Sequence, residues 1–215
     1  MYILESPPDD DFFNNRSEAD LLISSLKLLE IPAVKRTVVS DQYFEEAISV
    51  DSIMKFASET RRLPIVHISA HGDSEGFELL DSTIISWEFF IDYLKPINKI
   101  LDGNLILCML TCRGSFAHEM IYIEQEITFS NLIGCLENIE WRDTLVGFLT
   151  FYHLYNKGYS IEKAVNGTNE ATGSKYFKHF YGKELLIDYE KKIAEIIAEW
   201  KREKINGKQE NNKKN

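Results

Sequence analysis

Residues 104–115 read Asn104-Leu105-Ile106-Leu107-Cys108-Met109-Leu110-Thr111-Cys112-Arg113-Gly114-Ser115. The run from Asn104 to Leu110 is of strand length and apolar at consecutive positions instead of alternate ones. A strand that is apolar on both sides is covered on both sides, the habit of parallel sheets flanked by helices. A second compact apolar run, Leu63 to Ser69, is bounded by Pro64 and Gly72 and carries the sequence on into Ala70-His71-Gly72-Asp73.

Outward from these two runs, strand-like and helix-like patterns alternate. Tyr2 to Glu5 is a short strand, and Pro32 to Val39 is β-branched and strand-like. Ser17 to Leu29 places Leu21, Leu22, Leu26 and Leu29 at helical spacing behind Ser17, a good N-cap. Gln42 to Ser58 predicts one helix. Phe77 to Leu80 and Thr83 to Ile85 predict a hairpin around Asp81-Ser82, and Trp87 to Leu94 a helix stopped by Pro96. Further on come a short helix (Ser115 to Ile121), a strand (Ile127 to Leu136), two helices split at Gly158 (Asp143 to Asn156, Ser160 to Asn169) and an amphipathic C-terminal helix (Glu184 to Trp200). The aromatic residues Phe148, Phe151, Tyr152 and Tyr155 repeat at helical spacing and are expected in the core. Alternating strands and helices predict an α/β fold with a mostly parallel central sheet and helices on both faces. One domain is expected over residues 1–200, with residues 201–215 a polar, disordered tail.

Composition agrees. The chain has 215 residues, 44% hydrophobic and 27% charged, which excludes wholesale disorder, collagen-like repeats and a disulfide scaffold. Net charge is −10, and the Lys-rich tail leaves the body near −14. Such a body is repelled by phosphate backbones, so direct nucleic-acid binding is not expected. The opening residues run into Asp9-Asp10-Asp11 without a basic and apolar leader, and no apolar stretch reaches membrane-spanning length. With three cysteines, this predicts a reducing cytoplasm and no membrane partner. Cys108 and Cys112 lie four apart without a matching histidine pair, so no metal site is expected.

In open parallel sheets the functional groups gather beyond the carboxyl ends of the strands. Two such ends carry chemistry. His71 follows one apolar strand and precedes Gly72; Cys112 follows another and precedes Arg113-Gly114-Ser115. A thiol beside an imidazole makes a nucleophile with its general base. A helix starting near Ser115 favours the thiolate, and Gly72 and Gly114 let a substrate approach the backbone. His67 is the rival base, although a hydrogen-bonded interior histidine is the simpler reading. Cys108 and Cys135 read as core.

These pieces, taken in order, resemble the caspase-like cysteine peptidase superfamily, most closely its bacterial CHAT branch, which is related to separase. The matching segments are the strand ending His71-Gly72, the hairpin from Gly76 to Ile85, the strand ending Leu110-Thr111-Cys112-Arg113-Gly114, and the later run from Ile133-Gly134-Cys135 through Asp143 to the helix around Ala164. The resemblance covers residues 60–170 in detail. It implies a caspase-like three-layer sandwich and peptide-bond hydrolysis through a Cys–His dyad and an acyl-enzyme, without a cofactor. Cys112 is then the nucleophile, His71 the base and acid, and the Gly72 and Cys112 amides the oxyanion hole. Asp143, Arg113 and Asp73 become candidate substrate-binding residues, with Asp143 suited to a basic side chain. Each has a plainer alternative: Asp143 as a helix cap, Arg113 as an ion-paired or solvated residue, Asp73 as a turn former. A protein or peptide substrate, a regulatory protein partner, and a place in bacterial signalling, cell death or antiphage defence follow from the same resemblance. Two other readings stand beside it: a catalytically inactive caspase-fold scaffold that binds a protein partner, and a flavodoxin-like or response-regulator-like signalling domain. The last lacks a phosphate-binding Gly loop.

Overall fold

In the computed structural model, which describes residues 1–212 and, residue 124 aside, the side chains up to residue 202, a mixed eight-stranded sheet is flanked by helices. The elements run β1 (Tyr2–Ser6), α1 (Asp9–Phe13), α2 (Glu18–Leu28), β2 (Val34–Thr37), α3 (Asp41–Ile48), α4 (Val50–Thr60), β3 (Ile65–Gly72), β4 (Gly76–Glu78), β5 (Ile84–Ser86) and α5 (Trp87–Ile100). They continue through β6 (Ile106–Leu110), a 3-10 helix (Gly114–Glu119), α6 (Met120–Glu124), β7 (Asn131–Cys135), α7 (Trp141–Asn156), α8 (Ile161–Thr172), β8 (Phe177–Tyr181) and α9 (Gly182–Asn212). The main sheet has the order β2-β1-β3-β6-β7-β8, parallel except for β8, while the β4–β5 hairpin extends from the end of β3. The expected α/β architecture, a mostly parallel sheet between two helical layers, is the observed one.

Side-chain alternation divides the core in two. Tyr2 and Leu4, Val66 and Ile68, Leu107 and Met109 face one layer, with Phe44, Ile53, Phe90, Leu94 and Met120. Ile3, Ile106, Cys108 and Leu110 face the other, where Leu22, Leu26, Phe148, Phe151 and Ala164 lie. Both sets are sealed from water, which is why β6 shows no polar position.

The boundaries differ from expectation in four places. The helix predicted over Gln42 to Ser58 breaks at Ser49, whose backbone is extended (φ −57°, ψ 148°) and whose hydroxyl accepts from Ser52 N–H to start α4. Pro96 does not stop its helix; α5 continues to Ile100. Interior proline costs roughly 3 kcal/mol, and the complete burial of Leu94 and Ile97 on either side offsets it. Strand β8, left unassigned by the periodicity, pairs antiparallel with β7 and buries Phe177 against α7. Gly147 makes that approach possible, since a Cβ there would lie 2.2 Å from the Phe177 ring. Finally, α9 runs to Asn212, so residues 201–212, expected as disordered tail, continue the helix, and residues 213–215 lie outside the described residues. Lys, Arg, Glu and Gln are good helix formers, and an established helix adds residues at little cost once nucleated. No helix among the described residues is long and apolar enough to cross a membrane.

Candidate active site

Strands β3 and β6 are neighbours in register, Ile65 against Ile106 through Ser69 against Leu110. Carried two residues further, the alternation brings His71 and Cys112 to the same edge and the same face of the sheet, the face covered by α2 and α7. Backbones meet closely there. A Cβ on Gly72 would lie 2.9 Å from Thr111 Cβ and 3.1 Å from the Cys112 carbonyl oxygen, so the glycine lets the two strand ends touch. Beyond Cys112 the chain reverses through Arg113 in the left-handed region (φ 56°) and enters the 3-10 helix. Gly114 fits against Met109 and Thr111, and Gly134 of β7 lies under Ser115. The α-helix expected at Ser115 is therefore a six-residue 3-10 helix followed by the five-residue α6. So short a turn supplies much less dipole to the Cys112 thiol than a full helix.

His71 is exposed and Cys112 half-buried, and both line one cavity of about 160 Å³. A second hollow of about 170 Å³ meets His71 from the hairpin side, bounded by Glu78 to Leu80 and Ser82. The shared cavity has Pro7, Pro8, Leu110, Ile139 and Trp141 as walls, and Glu5, Glu18, Ser69 and Thr144 among its polar lining. A roomier hollow of about 600 Å³ opens at the amino ends of β3 and β6, but no Cys, His or carboxylate lines it. Among the described residues no group of three or more metal-ligating side chains converges.

Glu5 ends β1 at 2% exposure and Glu18 opens α2 at 3%. Glu5 accepts the Ala19 N–H at 2.9 Å and the Ser17 hydroxyl at 2.8 Å, with Lys35 Nζ at 3.4 Å. Glu18 lies 3.1 Å from Thr144 Oγ1 and accepts a long bond from the Ser69 hydroxyl at 3.5 Å. Burial, reinforced by the nearby Glu5 charge and opposed by the Thr144 and Ser69 hydroxyls, raises the Glu18 carboxyl to about 8.

The other candidates fall outside the cavity lining. Asp73 Oδ1 accepts the N–H groups of Glu75 and Gly76, which shapes the turn into β4. Arg113 is exposed. Asp143 is half-buried in the first turn of α7, where Glu140, and not Asp143, holds the cap position. The cavity receives α7 through Trp141 and Thr144 instead. Sequence reading passed over Glu5 and Glu18; the available signal was a carboxylate closing an apolar strand and another directly after an N-cap serine.

His67 belongs to the interior. It is fully buried, its Nδ1 lies 2.7 Å from the Tyr152 hydroxyl, and its ring packs edge-on to Phe148. Nε2 has no partner. An orphaned lone pair costs less than an orphaned N–H, so the proton sits on Nδ1 and is donated to Tyr152, whose own proton faces the Cys108 thiol. Burial drives the imidazole down to about 3 and the thiols of Cys108 and Cys135 up to about 12. His118 stacks on Phe180 and bonds the Ser115 carbonyl, and His179 is half-buried against Asn131. No family model matches the chain, and no curated protein matches it.

Proposed function

We propose that this protein is a cysteine endopeptidase of the caspase-like, CHAT-type kind, acting in the cytoplasm on a protein or peptide substrate under the control of a partner protein. One observation carries the reading: His71 and Cys112 leave adjacent strands at the same edge and face of the sheet and line the same cavity. The chemistry then follows from the groups present. Cys112 Sγ attacks the scissile carbonyl as its proton passes to the His71 imidazole; His71 returns that proton to the departing amine; water, activated by the same imidazole, hydrolyses the thioester. The Cys112 N–H donates to no backbone carbonyl among the described residues, which leaves it available for the oxyanion; the family resemblance adds the Gly72 N–H. A cytoplasmic peptidase needs restraint, and this is the reason for the partner and for the setting in bacterial signalling, cell death or antiphage defence that the family resemblance suggests.

A second reading has one observation on its side. No hydrogen bond joins His71 to Cys112 among the described residues, as in a scaffold whose dyad is out of use. Catalytic hydrogen bonds in ligand-free enzymes are often loose and tighten on substrate. Limiting iodoacetamide between about pH 5.5 and 9, with adducts located by mass spectrometry, separates the two. Preferential modification of Cys112 below neutrality, lost in His71→Ala, is the expected result. A Cys112 that reacts as an ordinary thiol with or without His71, together with no cleavage of a peptide library, would leave the scaffold.

A further inference from the structure

Helix α9 outruns the body it grows from. Its first turns are held: Leu185 and Leu186 pack on the core, and Tyr189 stacks on Tyr122 of α6 with ring centroids 5.6 Å apart. From Glu190 through Arg202 every side chain is exposed, although the helix runs on to Asn212. A helix standing alone in water is marginal at this length. The projecting part also lacks the pattern of a solvated helix. Leu186, Tyr189, Ile193, Ile196 and Trp200 follow one another at intervals of three, four, three and four, the spacing of the apolar seam between paired helices. The body covers the first two members and then ends. Ile196 and Trp200 are each 53% exposed, and Ile197 beside them 46%. An apolar stripe that continues in register past its cover marks a surface that a second helix can bury.

The charges on α9 indicate which helix that is. Its proximal part carries Glu184, Asp188 and Glu190, and its distal part Lys201 and Arg202. Between them, Lys192 and Glu199 each precede a member of the stripe by one residue, Ile193 and Trp200, and so flank the seam on the same side. The two lie two turns apart, too far to meet within one helix, and neither has an ion-pair partner among the described residues. A parallel copy of α9 would set the basic ends side by side and the acidic ends side by side. An antiparallel copy lays each basic end along an acidic end and brings Lys192 against Glu199 twice.

We propose that α9 is a dimerisation helix, pairing antiparallel with α9 of a second copy of this chain. Ile193 of one copy packs on Ile196 of the other about a twofold axis, and Lys192 and Glu199 form two reciprocal ion pairs along the flanks of the seam. One self-complementary surface then serves both copies, as a closed twofold contact requires. The inference stands apart from the peptidase reading and holds with or without catalysis. The seam is about two heptads long, so it buries less than the ~1,200 Å² at which standard interfaces begin, and the dimer is expected to form reversibly at roughly tens of micromolar.

The test is analytical ultracentrifugation of the full chain from about 1 to about 300 µM, since a reversible dimer grows in with protomer concentration. The mass is expected to rise from 24.9 kDa towards twice that value. Ile196→Asp is expected to stay monomeric throughout with an unchanged urea midpoint, because that side chain is exposed in the single copy. Two charge variants read the orientation. Lys192→Glu or Glu199→Lys alone sets like charges across both ion pairs and is expected to weaken dimerisation about fivefold or more. Mixed in equal amounts, the two variants set opposite charges across both pairs again, and the wild-type affinity is expected to return. A parallel seam would place Lys192 beside Ile197 and would show no such rescue. A wild-type chain that remains monomeric over the whole range overturns the proposal and leaves the stripe to a different protein. A dimer indifferent to Ile196→Asp lies on another surface and overturns it as well, and a dimer lost in Ile196→Asp but not restored by mixing overturns the antiparallel pairing.

Discussion

Strands β3 and β6 carry a histidine and a cysteine twice. His67 lies directly opposite Cys108 in the ladder, and four residues on, roughly 13 Å along the strands, His71 and Cys112 leave the sheet on the same face. The residue types are identical and the surroundings are opposite. The inner pair is sealed: its imidazole is driven down to about 3 and its thiol up to about 12, so neither exchanges a proton near neutrality. The outer pair borders a cavity and meets water. Position relative to the end of the strand, and not residue type, separates a sealed pair from one open to the cavity, and desolvation acts on every ion buried inside the sheet.

The largest contrast is expected in turnover. On the peptidase reading, Cys112→Ala lowers kcat/KM by at least about 10³-fold with the folded state intact, and Cys108→Ala leaves a measurable enzyme. Steady-state cleavage of a library-derived peptide checks both, and a Cys112→Ala that still cleaves would move the nucleophile elsewhere. Stability should show the reverse ranking. His67→Ala removes a buried ring and leaves Tyr152 without its partner, so a loss of about 2–4 kcal/mol in urea unfolding is expected.

Acid should act on the inner pair next. The unfolded His67 takes up a proton near 6.5 and the folded one only near 3, so below 6.5 the unfolded state binds more protons. This contribution therefore falls as the pH drops from 6.5 towards 3, with a slope approaching about 1.4 kcal/mol per pH unit, and it disappears in His67→Gln. Glu18 has the opposite sign: its carboxyl holds a proton in the folded state between 4.5 and about 8, so its contribution declines as the pH rises through that window. Urea midpoints of wild type, His67→Gln and Glu18→Gln across pH separate the two slopes. The smallest effect is expected for His71→Ala, within about 0.5 kcal/mol of wild type, since an exposed side chain is being removed. A loss of several kcal/mol there would make His71 a structural residue.

The fold was open to reading because two strands buried on both faces cannot imitate surface strands or amphipathic helices. The misses share a cause, local preference overruled by packing. Pro96 stays inside α5 because Leu94 and Ile97 are held in the core, and β8 forms because Phe177 finds the space left by Gly147. His71 and Cys112 were visible because the strand-end rule needs only the chain order. Glu5 and Glu18 were not, since their place in the cavity lining depends on where α2 packs, with Glu18 beside Ser69 and Thr144. Asp143 does not line the cavity while its neighbour Thr144 does, because a helix turns about 100° per residue.

The contact between Glu18 and Thr144 joins residues 126 positions apart. Contacts of such long range close late, after the local turns and strand pairs have formed. During synthesis, His71 and Cys112 emerge well before the wall formed by Ile139, Trp141 and Thr144. A partly made copy thus presents a thiol and an imidazole without the chamber that encloses them. On the peptidase reading, only a nearly complete domain would govern what that thiol meets.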